Sequence, residues 1–293
     1  MSGAGRIDGR TAVVTGGASG IGLALARAFA RRGCKVMILD VEARALESAL
    51  AELREQGSNA DVRGLVCDVT LREAVERAAA ETTQALGPIH ILCANAGVGG
   101  MAGPIDTRSE RDWRWVLGVN LMGMVHAVDA FLPLIRAQGE GGHVVYTASM
   151  AGMISPPHMG SYAASKFATV AMAECLEAEL QGGPIGVSVL CPAFVSTRIH
   201  ESERNRPADL AVERQPSEAM QAAMRELVTS GIPADSVAER VMEAIEGGEF
   251  YIFTHPDTRP AVEQRFQRIR AAFDAAERSP ALAGLGASKL PPL

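Results

Sequence analysis

Between residues 11 and 191 the chain alternates short apolar runs with longer segments whose apolar residues recur every three or four positions. The runs 11–15, 35–39, 64–67, 89–94, 143–147 and 187–191 have strand length and are rich in β-branched residues, and a last one covers 250–253. Four of them close on residues suited to strand exits: Gly16, Asp40, Asp68 and Asn95. The intervening segments carry the helical period, as in 23–30, 42–56 (closed by Gly57) and 112–137. Strands joined by helices of that length predict βαβ crossovers, and therefore a doubly wound parallel sheet with helices on both faces. The expected fold class is α/β.

The rhythm breaks over 198–231, which is polar at first and helix-permissive over 217–228. An insertion after a strand, at its carboxyl end, is where such a sheet places ligand-covering segments. Beyond the last run, Val262, Phe266, Ile269 and Phe273 follow at spacings of four, three and four, one apolar stripe on a helix over 260–277. That stripe needs a partner, either the rest of the same domain or another subunit. No internal repeat is evident, and no linker composition precedes the last fifteen residues. The expectation is one domain over 1–278, with 279–293 a flexible tail or an arm lying on a neighbour.

Composition narrows the function classes. The 293 residues are 47% hydrophobic and 21% charged, ordinary globular values, with a net charge of −6 that disfavours nucleic acid as a partner. Arg204, Arg206 and Arg214 cluster, but Glu201, Glu203, Asp209 and Glu213 are interleaved with them, which reads as a solvated loop. Of five cysteines none forms a CxxC pair; Cys67, Cys93 and Cys191 end apolar runs and read as small buried hydrophobes. The six histidines show no i, i+4 pairing, so no metal site is expected. Residues 1–10 lack an apolar signal-peptide core and no apolar run reaches membrane-span length, so the expected setting is cytoplasmic, with no membrane partner.

The first strand runs into Thr15-Gly16-Gly17-Ala18-Ser19-Gly20-Ile21-Gly22, which opens an apolar helix. Glycines there let a diphosphate approach backbone amides, and the helix N-terminus adds a positive dipole. Asp40, eighteen residues past Gly22, ends the second strand. A carboxylate at that corner accepts hydrogen bonds from ribose hydroxyls and repels a 2′-phosphate, so NAD is the expected cofactor. Asp40 also reads as a helix cap for residue 42 onward, and both roles stand.

Tyr162 and Lys166 are four apart in Tyr-Ala-Ala-Ser-Lys, so on a helix they share a face, roughly 6 Å apart at the β-carbons. A phenol titrates near 10, and a neighbouring ammonium together with a positively charged nicotinamide would lower that value. Ser149 follows the strand 143–147 and stands where it can bond the same substrate oxygen.

Thr15-Gly-xxx-Gly-Ile-Gly22, Asn95-Ala-Gly97, Asn120, Ser149, Tyr162-xxx-Lys166 and the Pro192 strand exit together resemble the short-chain dehydrogenase/reductase family over about residues 8–200. The resemblance implies a Rossmann-type sheet in one domain, with the substrate-covering insert and the extra C-terminal helix added to it. It implies a catalytic set of Asn120, Ser149, Tyr162 and Lys166, with Asn120 holding a water beneath Lys166. It implies cofactor binding by Gly16, Ser19, Gly20, Ile21, Gly22, Asp40, Asp68, Val69, Asn95, Ala96, Gly97, Tyr162, Lys166, Pro192, Val195 and Thr197. Asp68 and Val69 would contact the adenine, and Thr197 the nicotinamide carboxamide. A homodimer or homotetramer is also implied, with helices 112–137 and 162–180 of two subunits forming a bundle. Two departures stand out: Pro192 is followed by Ala193 instead of glycine, and the tail 251–259 replaces the usual Asp-Gly-Gly. That tail and the insert look like a bacterial subgroup that includes NAD-dependent Cα-dehydrogenases of aryl ethers.

The expected substrate pocket is walled by 97–102, 151–159 and 192–228. The first two segments carry Val98, Met101, Met153, Ile154, Pro156, Pro157 and Met159 and almost no charge. An uncharged, hydrophobic secondary alcohol or its ketone is therefore the expected small-molecule substrate, and the resemblance of the tail to the aryl-ether dehydrogenases implies that it bears an aryl group. If Arg204 or Arg206 reached in, a hydroxy acid would fit instead. His158 and His200 lie near enough in sequence to approach the substrate; Trp113 reads as packing and Trp115 stays open. The rival readings are an NADPH-dependent ketoreductase on acyl thioesters and a non-catalytic cofactor sensor.

Overall fold

A computed structural model of the chain describes residues 7–55, 60–212 and 218–285. The residues at 1–6, Gln56, Gly57, Glu213, Arg214 and Ser217, and 286–293 of the expected tail, lie outside the described residues. Two compact units are present, Met1–Thr254 and His255–Leu293.

The first unit runs β1 (Thr11–Thr15), α1 (Gly20–Arg31), β2 (Lys35–Asp40), α2 (Ala43–Glu55), β3 (Val62–Val66), α3 (Arg72–Leu86), β4 (Ile91–Ala94), α4 (Glu110–Leu117), α5 (Gly123–Ala137), β5 (Gly142–Thr147), α6 (Gly160–Leu180), β6 (Ile185–Cys191), β7 (Val195–Ser196), α7 (Glu218–Thr229), β8 (Ile232–Pro233), α8 (Ala234–Gly247) and β9 (Tyr251–Phe253). Seven strands form one parallel sheet in the order β3-β2-β1-β4-β5-β6-β9. The order reverses between β1 and β4, and the crevice at the carboxyl ends of these strands is where such a sheet binds ligands.

β1 and β4 are buried along their whole length, as unbroken apolar runs in a covered parallel sheet must be. β3, on the edge, leaves Val66 exposed, so its apolar pattern is weak and the sequence reading sets it two residues late. On one face α1 presents Leu25, Ala28 and Phe29 to a core shared with Val237, Val241 and Ile245 of α8. On the other face α3 packs on α5, and α4 on α6.

The expected helix 112–137 is two helices. It starts at Glu110 because the Ser109 hydroxyl accepts from Asp112 N (3.2 Å), an N-cap. Between α4 and α5 lies one π-helical turn, Gly118–Met122. By length and composition Glu110–Ala137 is apolar enough to cross a membrane, yet half of its most apolar window is buried inside the fold, as in a core helix. Met124, Phe131 and Ile135 lie in that buried part.

β7 and β8 pair in parallel, Val195 opposite Ile232, and so close the base of the insert near its expected bounds. Above that base run a 3-10 stretch Ile199–Asn205, a second one at Ala208–Leu210, and α7. The second unit holds α9 (Arg259–Glu277), on which Phe266, Ile269 and Phe273 are exposed.

Candidate active site

At the end of β1 the Thr15 hydroxyl accepts from the amides of Asn95 (2.9 Å) and Ala96 (3.0 Å). Asn95 Nδ2 donates to the carbonyls of Thr15 (3.0 Å) and Gly16 (3.2 Å), and its Oδ1 accepts from Thr147 (3.1 Å). One asparagine thereby ties the exits of β1, β4 and β5 together. The turn after β1 has no room for side chains: a Cβ at Gly16, where φ is +62°, would lie 2.8 Å from Ala96 Cα, and one at Gly22 would lie 2.1 Å from Gly16 O. Ser19 precedes α1 in extended conformation and its hydroxyl does not cap the helix. The first amides of α1, from Gly20 and Ile21 onward, are thus left for an anionic ligand. Thr197 covers this turn, its methyl carbon 3.0 Å from where a Cβ of Gly20 would stand.

Asp40 is 8% exposed. Its carboxylate accepts from Ala18 N (3.0 Å) in the glycine turn and from Glu42 N (3.0 Å) at the start of α2. Burial pushes its pKa up, against the pull of those amides. The cap and ribose-corner roles are therefore compatible, since each oxygen keeps a lone pair. At the exit of β3, Asp68 Oδ1 accepts from Thr70 N (2.9 Å) and Thr70 Oγ1 (2.7 Å), and Val69 O accepts from His126 Nδ1 (2.9 Å). Asp40, Asp68 and Val69 thus flank one side of the switch point. The turn, the uncapped helix and this corner fit a dinucleotide.

The four catalytic candidates gather on the other side. Tyr162, Ser165 and Lys166 lie on the first turns of α6. Lys166 is 2% exposed; its Nζ donates to Thr147 O (2.8 Å) and lies 5.6 Å from the centre of the Tyr162 ring. Burial pulls its pKa from 10.5 down to about 8. Burial pushes the Tyr162 phenol up, and a hydrogen bond with Ser149 pulls it back. The lowering expected from the sequence is therefore not supplied by the chain alone, because desolvation dominates. Ser149 Oγ also bonds Pro192 O (3.3 Å) and accepts from Ala151 N (3.1 Å), fixing it between the β5 and β6 exits.

Asn120 sits in the π turn, fully buried. Its Oδ1 accepts from Val98 N (2.8 Å), and its Nδ2 donates to Val98 O (3.0 Å) and Ser165 Oγ (3.1 Å). Both side-chain hydrogens are spent. A Cβ at Gly97 would stand 3.5 Å from Asn120 Oδ1 and 3.6 Å from Lys166 Nζ, which places these three residues at one point.

The three expected pocket walls meet here. Gly103 N, one residue past the first wall, donates to His158 O (2.8 Å) in the second. His158 takes a positive φ of 68°, the one described non-glycine residue that does. The insert joins the first wall through Gly99 N to Ser202 Oγ (3.0 Å). Val98 and Met101 are buried, while Phe194 is 42% exposed. The solvated-loop reading of the arginine cluster holds for the exposed Arg204 and is corrected for Arg206, while Arg214 lies outside the described residues. Arg204 bonds Glu42 (2.6 Å), Arg206 bonds Asp112 (2.7 Å) and Glu203 (2.7 Å), and the Arg206 side chain is only 5% exposed. Neither is a spare cation for a substrate carboxylate. Trp115, left open by the sequence, lies under Arg206, with the guanidinium carbon 3.9 Å from the ring centre. Asp112 and Glu42 escaped the sequence reading; the Ser109-x-x-Asp112 cap signal marked the helix start but not the role of the carboxylate.

Residues 10–208 match the family model described as short chain dehydrogenase. A "CLA biosynthesis dehydrogenase/reductase" of Lactiplantibacillus plantarum is 36% identical over 264 residues, covering 87% of this chain and 91% of the relative. A "C alpha-dehydrogenase" of a Sphingobium species is 34% identical over 261 residues, covering 89% and 85%. Among solved structures, a short chain dehydrogenase/reductase from Burkholderia phymatum in complex with NAD superposes with a TM-score of 0.87 at 41% identity, covering 91% of this chain and 96% of that one.

Proposed function

The chain belongs to the short chain dehydrogenase family and is an oxidoreductase, and from that premise we propose that it interconverts a hydrophobic secondary alcohol and its ketone with NAD. One observation carries the reading: the Tyr162 phenol, bonded by Ser149, stands beside a buried Lys166 at the carboxyl end of the sheet, the end that also offers the uncapped start of α1. NAD, held by the glycine turn, Asp40, Asp68–Val69, Asn95–Gly97, Pro192, Val195 and Thr197, would supply the hydride acceptor. In oxidation Tyr162 takes the hydroxyl proton as the carbon–hydrogen bond gives up its electron pair; in reduction it returns that proton. Ser149 orients the substrate oxygen. Lys166 supplies the positive charge that favours the phenolate. Asn120 has no free side-chain hydrogen, so the water that the family resemblance assigns to it would bind its main-chain carbonyl.

For the substrate, the support is the apolar first and second walls and the commitment of Arg204 and Arg206 to carboxylates of this chain. An uncharged aryl carbinol fits such walls, and likeness to the Sphingobium Cα-dehydrogenase favours the aryl group. The test is kcat/KM for 1-phenylethanol and larger aryl carbinols against short hydroxy acids and acyl thioesters, followed by nicotinamide absorbance. Preference for the carbinols is expected; preference for the acids would overturn the apolar reading.

A further inference from the structure

Asp112 is 1% exposed and stands on the first turn of α4, away from the catalytic groups. Its carboxylate receives three donors from three different parts of the chain. Met101 N reaches Oδ1 (3.3 Å) from the wall after β4. Ser161 Oγ reaches Oδ2 (3.1 Å) from α6, at the residue next to Tyr162. Arg206 Nη2 reaches Oδ1 (2.7 Å) from the insert, ninety-four residues away. Arg206 in turn stacks on Trp115 and bonds Glu203, and its Nη1 reaches Leu210 O (3.4 Å). Trp115 packs with Val98 and Val116, and Val98 is the residue that occupies the Asn120 side chain.

A buried ion pair of this kind is weak as a source of stability, because desolvation cancels most of its attraction. What it supplies is geometry: two charges and a planar fork fix direction and distance where apolar contacts would allow sliding. We propose that Asp112 and Arg206 are positioning residues for the reaction, holding the insert, the Met101 wall and the Tyr162 end of α6 in one arrangement around the substrate. The pair touches neither the glycine turn nor Asp40, so its effect falls on the alcohol and not on the cofactor. The proposal rests on the secondary-alcohol reading only for its kinetic probe.

Three variants test it: Arg206→Met, Arg206→Lys, and the double variant Asp112→Asn with Arg206→Met. The double variant removes both charges of the buried pair, leaving only the part-exposed Glu203 without its partner, and guards against a single variant that does not fold. The probe is whichever alcohol the wild type oxidises fastest. The expected result is a fall in kcat/KM for that alcohol on the order of 10²-fold, the scale of a misplacement of about 1 Å. NAD affinity, read by quenching of tryptophan fluorescence, stays within about twofold in the same variants. Arg206→Lys recovers part of the loss, because the charge is kept and the fork is not. Hydrogen exchange gives a readout free of any substrate: amides over 98–103 and 158–166 exchange faster in Arg206→Met and in the double variant, while those of α1 do not. Unchanged exchange over those two segments in a folded variant overturns the proposal even if no alcohol is found. So does alcohol kcat/KM within about threefold of wild type, or NAD affinity that falls in parallel.

Discussion

The ε-nitrogen of Lys166 stands 2.8 Å from the carbonyl oxygen of Thr147, at the last residue of β5. That single bond anchors a buried amine whose pKa burial has drawn down from 10.5 to about 8. A lowered folded value means the unfolded chain keeps a proton that the folded chain sheds between pH 8 and 10.5. Stability from this group therefore rises across that window, and below pH 8 the full cost of charging the amine, about 3 kcal/mol, is borne by the fold. Lys166→Met is expected to raise the melting temperature of the cofactor-free protein at pH 7, with the gain shrinking toward pH 10.5, while turnover is lost. Melting curves across pH 7–10.5 decide it: a variant less stable at every pH would show that the bond to Thr147 outweighs the burial cost.

Tyr162 and Ser149 make a second, opposed pair. Burial raises the phenol pKa and the Ser149 hydroxyl lowers it. Tyr162→Phe should cut turnover by about 10²–10⁴-fold while NAD still binds. Ser149→Ala removes the lowering influence, so the acidic limb of the kcat/KM profile for oxidation, where the phenolate is protonated, should move to higher pH. Near-normal turnover in a folded Tyr162→Phe protein would remove the phenol from the mechanism.

Much of this arrangement was legible in the chain because it depends on local residue order. The run 11–15 became β1 as read, and glycines at 16, 20 and 22 mark a turn whose tightness allows nothing larger. The π turn around Asn120 was not legible, since a one-residue slip in helix bonding leaves no compositional trace. Nor was Arg206: its neighbours alternate in charge as a solvated loop would. It is buried by Trp115 and Asp112, which lie about ninety residues earlier and were joined to it only by folding. Of the two tryptophans, the sequence assigned packing to Trp113, whereas Trp115 is the buried one.

Cofactor choice rests on Asp40. Its carboxylate already joins the glycine turn to α2 through Ala18 N and Glu42 N, and it would repel a 2′-phosphate from the same place. The nearby Arg204, a cation that could offset that repulsion, is held by Glu42. The wild type is expected to prefer NAD to NADP, and Asp40→Ala with Val41→Arg should narrow or reverse the ratio of kcat/KM values. Equal wild-type values for both cofactors would sink this assignment.

Acid stability should depend on His143. Ser188 Oγ donates to Glu249 O (2.6 Å), so it accepts from His143 Nε2 (2.8 Å), and the buried ring is held neutral. Burial lowers its pKa from 6.5 to about 4. As pH falls from 6.5 toward 4 the unfolded chain binds the proton first, and stability drops by about 3 kcal/mol. His143→Gln keeps a donor for Ser188 without titrating. Its urea midpoints at pH 7, 5.5 and 4.5 should therefore fall less steeply than those of wild type; parallel slopes would assign the acid loss elsewhere.

Assembly is the last expectation. α6 is apolar around most of its circumference: Ala163, Val170, Ala173 and Leu176 face the core, while Ala164, Ala171 and Cys175 are exposed. The π turn beside it leaves Met122 41% exposed. The first turns of the outer face of α6 carry small residues instead of charges, which let a second helix approach closely, and its glutamates, Glu174, Glu177 and Glu179, come only toward the C-terminal end. The expected assembly is a homodimer or homotetramer built on α5 and α6, which would also cover part of the apolar surface of Glu110–Ala137. Light scattering at micromolar concentration should give at least twice the chain mass. Ala171→Arg, which places a charge in the middle of that face without touching the catalytic side of the helix, should shift the mass toward one chain. A monomeric wild type would reject this interface, and an Ala171→Arg protein of undiminished mass would move it to another surface, the exposed Tyr251 and Phe253 of β9 being the next to test.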